Sequence, residues 1–166
     1  MQTQCSAEQL QFSCVERRRV VAAFDGGTVS SDAGALLLGR TDEAIGLIDR
    51  LAGCFIDQRR PELIEHTVRT LIGQRVFGIA LGYEDLNDHE QLRHDPVFGA
   101  LLGKLQARRS DCAALAGKST LNRLELHARE GGMDRYHKIR PRTEGIEGLF
   151  VDVFLEAHRE APRAGH

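Results

Sequence analysis

The side chains best suited to chemistry in this chain gather between Leu101 and Arg142, where ten Lys and Arg stand against four Asp and Glu. Inside that segment, Gly117-Lys118-Ser119 ends like a phosphate-binding loop. The full motif needs a glycine five positions before Gly117 and a preceding strand; Cys112 stands there and no strand precedes it, so nucleotide binding is set aside. Read as a tight turn into a helix, the same stretch offers Lys118, Ser119, Thr120, Asn122 and Arg123: cationic, hydroxyl and amide groups at a helix N-terminus. Such groups hold phosphates and read base edges. Arg108 and Arg109 before this turn, and Lys138, Arg140 and Arg142 after it, would add charge along a phosphate backbone. A capped surface helix without a ligand accounts for the same residue types, and both readings stay open on composition alone.

The other reactive groups explain themselves more simply. Asp88-His89 and His94-Asp95 form the densest acid and histidine grouping, yet no His-x-x-x-His pair exists, so they read as surface or helix-boundary residues rather than metal ligands. Asp25-Gly26-Gly27 and Ser30-Ser31-Asp32 are accounted for by turn and cap chemistry. Cys5, Cys14, Cys54 and Cys112 contain no Cys-x-x-Cys pair and read as reduced cytosolic thiols. There is no Gly-x-Ser-x-Gly elbow.

These groups need a scaffold, and the patterning predicts a mainly α one with a short N-terminal strand or hairpin. Arg19 to Phe24 is a β-branched run ended by Asp25-Gly26-Gly27. Ser30 to Asp32 would cap a helix starting at Ala33, and Thr41-Asp42-Glu43 a second start before Ile45, Ile48 and Leu51, giving one kinked helix or two short ones. Pro61 at a first helical position, with Glu62 and Glu65 in the first turn, should open a long buried helix carrying Leu63, Ile64, Leu71, Ile72, Val76 and Ile79. Short helices follow over 85–93 and 96–102, divided at His94-Asp95-Pro96, and 103–118 reads as loop. Ser119 should cap a helix over 120–126 with Leu121, Leu124 and Leu126 inward, ended before Gly131-Gly132. Thr143 should cap a last helix whose Ile146, Leu149, Phe150, Val153, Phe154 and Ala157 form an apolar stripe. The expected segments are 1–30 (strand and turn), 31–128 (helical domain), 129–144 (basic linker) and 145–160 (terminal helix).

With 166 residues, 42% hydrophobic and 28% charged, the chain has the material for one folded core and is not composed like a disordered polypeptide. Its longest apolar run, Val76 to Tyr83, is far short of the roughly 18 residues needed to cross a bilayer, and Met1 to Leu10 lacks a signal-peptide core. Net charge is −2, but the excess of base in 101–142 is flanked by acidic segments, so any contact with a polyanion belongs to that segment.

Several stretches together resemble a known family. They are Arg17-Arg18-Arg19-Val20-Val21-Ala22-Ala23-Phe24-Asp25-Gly26-Gly27 running into Ser30-Ser31-Asp32-Ala33-Gly34; Gln74-Arg75-Val76-Phe77-Gly78 with Gly82-Tyr83-Glu84-Asp85-Leu86-Asn87-Asp88-His89; Leu92-Arg93-His94-Asp95-Pro96; and Gly117-Lys118-Ser119-Thr120-Leu121-Asn122-Arg123-Leu124-Glu125. In this order they are similar to the N-terminal region of bacterial insertion-sequence transposases of the DDE type, the group-1 DDE family. The resemblance implies cut-and-paste DNA transposition by an RNase-H-like core holding three carboxylates and two divalent ions, Mg²⁺ being the one expected for the full-length enzyme. The family's first catalytic aspartate lies in an apolar-Asp-x-Asp-x-Thr strand, which has no counterpart here; Asp152 falls on the polar side of the last helix and lacks the following Asp and Thr. No catalytic residue is therefore carried over, and a truncated or fragmentary transposase without activity of its own is the expectation.

The resemblance further implies duplex DNA at transposon ends as partner, self-association of the chain, no membrane, and a cytoplasmic, nucleoid-associated location. A DNA-binding regulator of the element and a helical protein-interaction domain are the alternatives.

Overall fold

The structure, a computed structural model, describes residues 10–15, 18–22, 30–126 and 138–159. Among them are seven α-helices and two separate two-stranded antiparallel sheets, so the chain is mainly helical, as expected. The first sheet is an N-terminal hairpin of β1 (Leu10–Val15) and β2 (Arg18–Ala22), pairing Leu10 with Ala22 and Val15 with Arg18 and shifting register between Phe12 and Val15. The expected turns at Asp25-Gly26-Gly27 and Gly131-Gly132 lie outside the described residues.

Two short helices follow, α1 (Ala35–Ile45) and α2 (Leu47–Ala52). The break falls at Gly46 rather than at Thr41. Gly46 has φ +65°, a left-handed conformation open to a residue without Cβ, and it closes α1 through its N–H to the carbonyl of Asp42. The N-cap residue of α2 is Gly46, without a side-chain cap bond, while Asp42, inside α1, reaches across the break to accept the Ile48 N–H at 2.8 Å.

The expected long helix from Pro61 is corrected. Pro61–Leu63 is a single 3₁₀ turn, Ile64 is extended, and α3 runs over Val68–Ala80 with Thr67 as its cap, Oγ1 accepting from the Thr70 N–H at 3.1 Å. Proline favoured a helix start, but the interruption serves a tertiary purpose: Glu65 and His66 turn inward to receive Lys104 Nζ, at 2.7 Å on Glu65 Oε1 and 3.1 Å on His66 Nδ1. Leu63 and Ile79, expected on the buried face, are 65% and 49% exposed.

The division at His94-Asp95-Pro96 is present. A 3₁₀ turn (Leu86–Asp88) leads into α4 (His89–Leu92), and α5 (Pro96–Leu101) starts under Asp95, whose Oδ1 accepts from the Val97 and Phe98 N–H groups. The segment 103–117 is loop, and α6 spans Lys118–Glu125.

A second ribbon, unsignalled in the sequence, pairs β3 (Phe55–Asp57) with β4 (Ile139–Pro141), the latter inside the stretch expected as basic linker. Ile48, Leu71, Phe77, Leu92, Phe98, Leu115, Leu121, Leu124 and Ile139 share one core, so α6 and β4 close over α2 and α3.

The last helix, α7 (Thr143–Ala157), follows at once. Arg142, not Thr143, is its N-cap residue, without a side-chain cap bond. Only Leu149 of its expected stripe is buried; Phe150 and Phe154 are 56% and 60% exposed. A bidentate pair from Arg50 to Glu156, 2.8 and 3.2 Å, ties it to α2. No described helix is long and apolar enough to cross a membrane.

Candidate nucleic-acid interface

The position of α6 is set by a residue that composition alone did not single out. Gln74 is wholly buried on α3, where its Oε1 accepts from the Ala116 N–H at 2.9 Å and its Nε2 donates to the Ala116 carbonyl at 2.7 Å. One amide therefore satisfies both backbone groups of the residue preceding the α6 turn, and this pair of hydrogen bonds fixes which end of the amide is which. The same Nε2 lies 3.2 Å from Nδ1 of His89, so Nδ1 is the acceptor and the imidazole proton sits on Nε2, which is buried without a partner. His89 is at a helix boundary, as expected, but entirely buried rather than on the surface; burial, followed by the nearby Arg75 charge, pushes its pKa down and keeps it neutral. Gly78 makes room for it: a Cβ there would stand 2.9 Å from the imidazole Cε1. A polar residue among Leu71, Phe77 and Gly78 on an otherwise apolar helix face was the available signal for Gln74.

The expected cap of α6 was Ser119, but the helix starts two residues earlier, at Lys118 under Gly117. Its first N–H is taken by a carboxylate from α4, Glu90 Oε1 accepting from the Lys118 N–H at 2.8 Å. The expected phosphate-ready N-terminus is thus already supplied with an internal anion. Lys118 Nζ donates to Asn87 Oδ1 at 3.0 Å, and Lys118, Ser119 and Asn122 line a cleft of about 260 Å³ with Leu86 and Asn87. Ser119, Asn122 and Arg123 are exposed, Thr120 is half-buried, and Leu121 and Leu124 face the core. Leu126, expected inward, is 53% exposed. At the far end, Arg75 of α3 pairs with Glu125 and donates to the carbonyls of Tyr83 and Glu84, pinning α6 to the turn beyond α3.

The remaining candidates separate into two groups. Arg108 and Arg109 do not join the α6 cleft. Arg108 donates its backbone N–H to Glu65 Oε1 and its guanidinium to the Ile64 carbonyl, and Arg109 is paired with Asp111 at 2.9 Å. Lys138, Arg140 and Arg142 are exposed along the second ribbon, with β4 packed beside α6. Arg40, Arg50, Arg59, Arg69, Arg75, Arg93, Lys104 and Arg109 each meet a carboxylate. The side-chain charges of Lys118, Arg123, Lys138, Arg140 and Arg142, like those of Arg60, Arg108 and Arg159, make no salt bridge among the described residues.

The described acids nearest one another are engaged in local hydrogen bonds. A cleft of about 320 Å³ brings Asp32, Asp88, His94 and Asp95 around Tyr83, but Asp32 accepts the Tyr83 hydroxyl at 3.0 Å and Asp95 caps α5. Among the described residues no three His, Cys, Asp or Glu side chains converge as candidate ligands of a metal ion.

The model of one protein family, transposase DDE domain group 1, matches residues 12–164. The chain belongs to this family. Comparison with curated proteins and with solved structures finds no match. A transposase DDE domain group 1 protein acts in DNA transposition, and its macromolecular partner is DNA. Cations without carboxylate partners around α6 and β4 are the feature of this fold that suits such a partner.

Proposed function

We infer that this chain supplies the DNA-end-binding surface of a DDE transposase, at the N-terminal side of its catalytic core, rather than the cleavage chemistry. The observation that supports this most directly is the cluster of unbridged side-chain charges around α6 and β4: most cations of the helical body are paired with acids, Arg60, Arg108 and Arg159 excepted, whereas the side chains of Lys118, Arg123, Lys138, Arg140 and Arg142 make no salt bridge among the described residues. In this reading Lys118 contacts phosphate, and Asn122 and Arg123, exposed one helical turn further on, reach base edges. Arg108 and Arg109 play a lesser part, being turned toward Glu65 and Asp111. Cleavage belongs to carboxylates of the Asp-x-Asp-x-Thr type that the sequence does not contain.

The test uses the full chain against short duplexes tiled across the DNA that flanks its coding sequence, with shuffled duplexes as controls. Preferred binding to particular tiles is expected. Lys118→Ala should weaken all duplexes alike, while Asn122→Ala or Arg123→Ala should erode the preference by about 1–3 kcal/mol for each base no longer read. Labelled duplex with Mg²⁺ or Mn²⁺ should remain uncut. Binding that ignores salt and all three substitutions would replace this reading with that of a helical protein-interaction domain, and metal-dependent cleavage by a nuclease-free preparation would overturn the division of labour.

A further inference from the structure

The second ribbon carries a regular array. The pairing of β3 with β4 sets Ile56 opposite Arg140 and Asp57 opposite Ile139. Backbone bonds extend it at both ends: Gln58 N–H donates to the Lys138 carbonyl at 2.8 Å, and Arg142 N–H to the Cys54 carbonyl at 2.7 Å. The paired backbone therefore runs from 138 to 142, with Arg142 still extended at φ −96°, ψ 94°. Side chains of an extended strand alternate between its faces. Ile139 is only 5% exposed and belongs to the core, and Pro141 is half-buried, which places Lys138, Arg140 and Arg142 together on the outer face. All three are exposed. Across the ribbon the same face presents Gln58, Ile56, 47% exposed, and Cys54, buried beside Gly145 of α7. None of the three bears a negative charge, and Glu144 borders Arg142 at the α7 end. Asp57 belongs to the other register position and is held by Arg59 at 2.7 Å.

We propose that this outer face is a phosphate-backbone grip, in which Lys138, Arg140 and Arg142 contact successive phosphates of one DNA strand without reading sequence, while α6 beside it does the reading. The proposal rests on the DNA-binding reading above and adds a separate site with a separate role. Cations at alternate positions of a strand are spaced by about 6.6 Å, giving a row of about 13 Å. A DNA strand offers one charge per roughly 3.4 Å of axis, so flexible basic side chains in such a row each find a phosphate. A rigid ribbon suits this role because its spacing is fixed by backbone pairing. The Arg142 guanidinium also donates to the carbonyl of Gly53, a neutral partner that positions the side chain and leaves its charge available.

The experiment measures salt dependence of duplex binding by the full chain. Each phosphate that the protein no longer neutralises should lower the slope of log K against log salt by about 0.9, so that between 50 and 200 mM salt each such phosphate accounts for about a 3.5-fold change. Lys138→Gln and Arg140→Gln should each lower the slope by this amount on matched and shuffled duplexes alike. Ile56→Lys, which adds a cation opposite Arg140 on the same face, should raise it. Circular dichroism melting of each variant checks that the fold is kept, and the gain from Ile56→Lys cannot arise from unfolding. If these three changes leave the slope where it was while Lys118→Ala and Asn122→Ala still impair binding, the grip is refuted and the α6 surface stands. If the unsubstituted chain binds no duplex at all, the DNA-binding reading itself fails.

Discussion

Replacing Gln74 by leucine tests the connection between the core and the candidate interface. The substitution keeps a buried side chain of similar size but removes the amide that serves Ala116 N–H, Ala116 C=O and His89 Nδ1. Two of these partners are backbone groups and cannot be substituted away. Ala116 and His89 are both at 0% exposure, so water has no ready route to them. A buried polar group left unpaired costs about 1–3 kcal/mol. Three such groups, offset in part by the easier burial of leucine, predict a net destabilisation of about 3 kcal/mol or more. With a urea m-value near 2 kcal/mol/M, the unfolding midpoint should fall by about 1.5 M. Because Ala116 immediately precedes the α6 turn, amide exchange of Ala116, Leu121 and Leu124 should accelerate more than that of Leu71 on α3. A midpoint shift below about 0.3 M, with unchanged exchange at Ala116, would refute the argument that this amide holds α6 in place.

Two further outcomes follow from the geometry. His66 is buried beside Lys104, and burial first, then the ammonium charge, lower its pKa to about 4 from an ordinary 6.5; a group whose folded pKa is depressed takes up its proton in the unfolded state first, so stability is full above pH 6.5 and declines as pH falls toward 4, by about 2 kcal/mol between pH 7 and 5. Urea titrations at those two pH values lie above the ordinary range of the carboxylates and isolate the histidines, and an identical midpoint at both would contradict the assignment. In α7 only Leu149 is buried, and Phe150, Val151, Phe154 and Leu155 are each more than half exposed, so its amides should exchange well before those of α3, whose Leu71, Ile72, Gln74 and Phe77 are buried. Equal protection of the two helices, measured by mass spectrometry, would show that the α7 face is covered in solution.

The sequence by itself determined the class of the fold and the division at Asp95 before Pro96, where bonds and dihedral preferences within a few residues leave a readable mark in residue type. Thr67 and Gly46 act at the same short range, but the stronger helix-start signals at Pro61 and Thr41 drew the expected boundaries away from them. The sequence also carried the basic segment and the family resemblance, since both reside in residue identity and order. What only the tertiary structure decided lies at long separation. The β3 and β4 strands are three residues each and more than eighty positions apart, too short for a periodicity, so the alternation of Lys138, Arg140 and Arg142 onto one face became legible only through their pairing with 54–58. Likewise the helix expected from Pro61 yielded to a tertiary demand, because Glu65 and His66 are needed out of helical register to receive Lys104. The apolar stripe of α7 shows the converse limit. Hydrophobic periodicity specifies that a helix has an apolar face, but whether that face is buried depends on what packs against it, and a one-dimensional pattern cannot contain that.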